Sequence, residues 1–185
     1  MSEFDIFLEE EKLLLASALY KTGVWISYAE DLEGEEDDIR EMRALGACLR
    51  AVAKKYDGPG LVDDIARFTL SQKDVWDEWA DDVYDPRDEI GKALALMKNK
   101  APKDDLKKYK AALYEVAVTV AQAHGEFIQY DEEEPEEGSA FGALLGKITA
   151  TFLGKGAEDA DHPMNVSSVE SQNISQLKTL MREYE

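Results

Sequence analysis

Cysteine is almost missing from this chain: Cys48 stands alone among 185 residues, so neither an intrachain disulfide nor a multi-cysteine zinc site can form. Histidine is nearly as scarce, with only His124 and His162, and neither falls in a recognisable nucleophile arrangement. Hydrolytic and acyl-transfer chemistry therefore has little to draw on, and no catalytic residue is expected. Long apolar runs are lacking too. The longest stretch free of Asp, Glu, Lys and Arg is Val116 to Gly125, ten residues, whereas a membrane span needs about 20. Positive charge is the last deficit: 21 basic residues face 40 acidic ones, a formal charge of -19 that repels nucleic-acid phosphates and anionic headgroups. No nucleic-acid partner and no membrane insertion are expected. The start, "MSEFDIFLEEEK", is acidic where a secretory signal would be basic and then apolar, so the expectation is a soluble, cytoplasmic protein. Cations and basic protein surfaces are the partners such a field would draw; self-association would have to come from apolar surface such as a docking helix.

What the sequence does have is material for a core: 44% apolar residues, including three Trp, eight Tyr and six Phe. These recur at three- and four-residue intervals without sustained alternation, which predicts an all-α, single-domain bundle of about seven to eight helices. A first helix is expected from Glu9 to Tyr28 and a second from Glu35 to Tyr56, stopped by "DGPG" at Asp57 to Gly60. Leu61 to Leu70 forms a short third helix, and Ser71 with Asp74 resembles a capping pair for the next. Asp85-Pro86 and Ala101-Pro102 mark two further starts, because proline is tolerated in a first helical turn. The helix from Lys103 to His124 spaces Leu106, Tyr109, Leu113, Val116 and Val120 for one buried face. "SAFGALLGKITATFL" reads as another apolar helix, residues 154–165 as a linker, and residues 166–185 as an amphipathic carboxy-terminal helix. That last helix docks either on its own core or on another molecule.

An internal echo divides the first 153 residues. "ALYKTGVWISYAED" from Ala18 and "ALYEVAVTVAQAHG" from Ala112 share Ala-Leu-Tyr, then pair Val24 with Val118, Ile26 with Val120 and Ala29 with Ala123, at a constant offset of 94. Each segment ends in a carboxylate-dense run. Glu30 to Glu41 holds eight acids and one base; Asp131 to Glu137 holds six acids and no base. The simplest reading is two repeated halves, residues 9–56 and 103–153, with a helical insertion at 61–101.

An apolar helix ending in Ala123-His124-Gly125-Glu126, followed by acids and another helix, resembles the TerB-like tellurite-resistance family. That resemblance implies an all-helical module of two pseudo-repeated halves, acidic junctions associated with divalent metal, and a stress-response setting. It carries over to this chain at Gly125 and Glu126; His124 stands where the family has Asp.

Hard cations take oxygen ligands, and two facing carboxylate runs could supply them. Glu30, Asp31, Glu33, Glu126 and Asp131 are the candidate ligands for Ca²⁺, Mg²⁺, Mn²⁺ or Zn²⁺, and His124 would add a nitrogen that favours a transition metal. The competing reading is that both runs are solvated charge. An EF-hand is excluded: with Gly34 at loop position six, Ala29 falls at position one and Arg40 at position twelve, where carboxylates are required. "FGALLGKIT" fails as a phosphate loop, since Phe141 and Ile148 occupy the places of the required Gly and Ser or Thr. A metal-independent alternative uses the carboxy-terminal helix and the Trp76/Trp79 pair as interaction surfaces.

Overall fold

A computed structural model describes residues 3–27, 45–53, 60–81, 85–122 and 168–184. Every regular element among them is helical, and no strand occurs there, as the 3.6-residue periodicity predicts. A short 3-10 turn, Glu3–Ile6, leads into α1, Glu9–Ser27. Residues 45–53 form α2. Then follow α3 (Leu61–Ser71), α4 (Trp76–Asp81), α5 (Pro86–Lys100), α6 (Lys103–Gln122) and α7 (Ser168–Glu183).

Several starts and stops have the chemistry the sequence advertises. Asp85 caps α5, its carboxylate accepting from the Arg87 amide at 3.2 Å, and Pro86 fills the first turn, where a missing N–H costs nothing. Lys98 and Lys100 occupy the last turn of α5, where positive charge suits the helix dipole. Ser71, by contrast, is not the cap of the next helix. It ends α3, its hydroxyl donates to the Phe68 carbonyl at 2.7 Å, and a 3-10 turn over Lys73–Val75 intervenes before α4. The serine finds a nearer acceptor in the turn it closes, and so never reaches forward.

Helices α1 and α6 are the axis of the molecule. From Leu15 to Ser27 every residue of α1 except Trp25 is buried, and α6 is buried without a break from Tyr109 to Ala121. The single buried face expected of the helix from Lys103 is thus a correction: α3, α5 and α6 pack around α1, while α1, α3, α5 and α7 pack around α6, so these stretches of both are enclosed on all sides. Close approach of α1 to α2 depends on Gly23, where any Cβ would run into the Leu45 side chain. The tryptophan pair packs half-buried against this core. Trp76 stacks on Tyr20 with centroids 4.9 Å apart, Trp79 lies 5.9 Å from the same ring, and the Trp76 indole donates to the Thr69 carbonyl at 3.0 Å.

The carboxy-terminal helix docks on its own chain. Ile174, Leu177 and Met181 of α7 are buried against α1, α5 and α6. Its margins are polar: Asn173 donates to the Trp25 carbonyl at 3.5 Å, Arg87 donates to Gln176 at 3.4 Å, and the Lys178 ammonium lies 5.1 Å from the Tyr114 ring centroid. At Gly91 of α5 an added Cβ would stand 3.2 Å from the Tyr184 hydroxyl and 3.7 Å from a Leu180 methyl. Gly91→Leu is therefore expected to lift the last turn of α7 at a cost of about 1–3 kcal/mol, as overpacking does. Faster amide exchange from Leu177 to Tyr184, with α1 amides unchanged, is the readout; a uniform loss of protection would argue against a separate docking unit.

Helix directions follow from the side-chain contacts. Lys100 bonds Glu11 at 2.7 Å, while Glu89 near the other end of α5 meets Ser17 and Lys21, so α5 runs antiparallel to α1. Ala101 and Pro102 turn the chain into α6, whose Tyr109 reaches the Leu15 carbonyl at 2.8 Å. Helix α6 accordingly runs alongside α1 in the same direction. The offset of 94 between Leu15 and Tyr109 is that of the sequence echo, and the starts of α1 and α6 differ by the same number. The remainder of either expected half lies largely outside the described residues.

Candidate functional site

All six residues singled out as metal ligands, Glu30, Asp31, Glu33, His124, Glu126 and Asp131, lie outside the described residues, as do Gly125, the expected helix at 139–153 and the linker at 154–165. The structure does place the described ends of the two helices that precede the acidic runs in sequence. Because α1 and α6 run in the same direction, Ser27 and Gln122 stand at one end of the bundle. Helix α7 begins at that end also: Asn173 in its second turn bonds the Trp25 carbonyl, and Lys178 further along meets Tyr114. Two parallel helix dipoles thus direct their negative ends to the same side of the bundle.

Several buried polar groups gather toward this end. Glu170, in the first turn of α7, is 1% exposed and shares a stripe with Ile174, Leu177 and Met181. Ser27 closes α1 and Thr119 lies in the last turn of α6; both are buried, and neither hydroxyl has a hydrogen-bond partner among the described residues. Glu115 and Lys110, one and two turns further down α6, are buried as well. Among the described residues alone, no three His, Cys, Asp or Glu side chains converge in a metal-binding group.

A second polar cluster ties α1 to α5 nearer mid-bundle. Glu89 accepts from the Ser17 hydroxyl through one oxygen and from the Lys21 ammonium, at 2.7 Å, through the other. Lys21 is 4% exposed at its side chain and Glu89 25%, so water reaches only the carboxylate. Beside them Tyr109 is fully enclosed, and burial first, then the negative charge of Glu89, pushes its phenol well above the ordinary 10.0. The raised value has a definite sign. Above pH 10 the unfolded chain sheds the phenolic proton that the folded chain keeps, so stability falls as pH rises. Tyr109→Phe should cost about 1 kcal/mol at neutral pH, through loss of the bond to Leu15, and should flatten the alkaline decline of melting temperature. An unchanged alkaline slope would assign the effect to other tyrosines.

Lys21, Glu89, Glu115 and Glu170 are not among the residues that charge runs or motifs single out. The signal for Lys21 was present, since it is the one charge between Leu13 and Ala29; Glu170 falls at the helical spacing of Ile174, Leu177 and Met181. No helix among the described residues is long and apolar enough to cross a membrane. Comparison with family models, curated proteins and solved structures finds nothing that matches this chain.

Proposed function

We propose that this chain is a non-enzymatic, acidic helical module of TerB-like type that binds a divalent cation where the runs following α1 and α6 leave the bundle. One observation supports the reading: the two helices run side by side in the same direction, so Ser27 and Gln122, the described residues that precede the two acidic runs, lie at a single end of the bundle. Glu30, Asp31 and Glu33 from one run, with Glu126 and Asp131 from the other, would supply hard oxygen ligands suited to Ca²⁺, Mg²⁺ or Mn²⁺. His124 would add a nitrogen and tilt the choice toward Mn²⁺ or Zn²⁺. Neutralising like charges at that end would draw the ends of α1, α6 and α7 together and alter a surface available to a basic protein or to a second copy, in a stress-response setting.

The metal-independent alternative relied on the tryptophan pair and the carboxy-terminal helix, and both already pack against the chain's own core. It has correspondingly less free surface to use. Isothermal titration of the metal-free protein with each chloride salt tests the cation reading directly. Heat that saturates at a defined stoichiometry supports it; no heat at millimolar metal removes it.

A further inference from the structure

We draw no further inference here: the strongest candidate, the exposed apolar patch of Ile6, Leu8 and Leu13 at the amino-terminal end of α1, has nothing in the structure to show what covers it.

Discussion

Glu89→Ala is expected to destabilise the fold by about 3 kcal/mol, the low end for breaking a buried ion pair. The ammonium of Lys21 is nearly sealed, and the substitution removes the carboxylate that faces it at 2.7 Å while taking an acceptor from Ser17. The low end applies because a quarter of the Glu89 side chain remains wet, so water can partly replace it. For a domain of this size the loss corresponds to a fall in melting temperature of about 6–12 °C. Replacing both partners, Lys21→Met with Glu89→Leu, should recover most of it, because an apolar pair of similar volume needs no desolvated charge. The exposed pair between Lys92 and Asp88, 2.5 Å apart on α5, is the control: Asp88→Ala should leave the melting point essentially unchanged. Equal effects from Glu89→Ala and Asp88→Ala would show that the α1–α5 tie is no better than a surface contact.

Divalent metal is expected to raise the melting temperature by about 5–10 °C at a hundredfold excess over the dissociation constant, equivalent to about 2.7 kcal/mol. General screening also relieves repulsion in a chain of charge -19, so the comparison must be made against sodium chloride at matched ionic strength. Two sets of substitutions then separate one shared site from two independent acidic segments. Glu30→Gln, Asp31→Asn and Glu33→Gln neutralise the first run; Glu126→Gln and Asp131→Asn neutralise the second. If both runs clasp one ion, either set removes most of the response and the combination adds little, since groups acting on one ligand are not additive. Additive halves would mean that the runs act separately, and the proposed site would fall. His124→Gln gives a further arm, weakening Zn²⁺ or Mn²⁺ more than Ca²⁺ if the imidazole is a ligand.

The helical class was legible because it depends on local rules. Pro86 and Pro102 announce the starts of α5 and α6 within a residue, and the first helix starts at the expected Glu9. Such boundaries depend on a missing N–H, a capping carboxylate or a change in periodicity, all readable within a few residues. Ser71 was misread for the same local reason: a serine three residues before an acid has two ways to satisfy its hydroxyl, and the spacing does not say which. The candidate site was legible only as composition, with Glu30 to Glu41 and Asp131 to Glu137 standing out as charge runs. No local pattern states whether runs so far apart meet.

By itself the sequence determined an all-α chain, a large acidic excess and the absence of an intrachain disulfide, because composition and 3.6-residue spacing act without reference to distant residues. Only the tertiary structure decided that α1 and α6 are enclosed on all sides, that α7 lies against its own chain, and that Ser27 and Gln122 share an end. A helix specifies which of its faces is apolar but not the direction of its neighbour. That direction was fixed by side chains meeting across long separations: Glu11 with Lys100, Lys21 with Glu89, and Tyr109 with the Leu15 carbonyl.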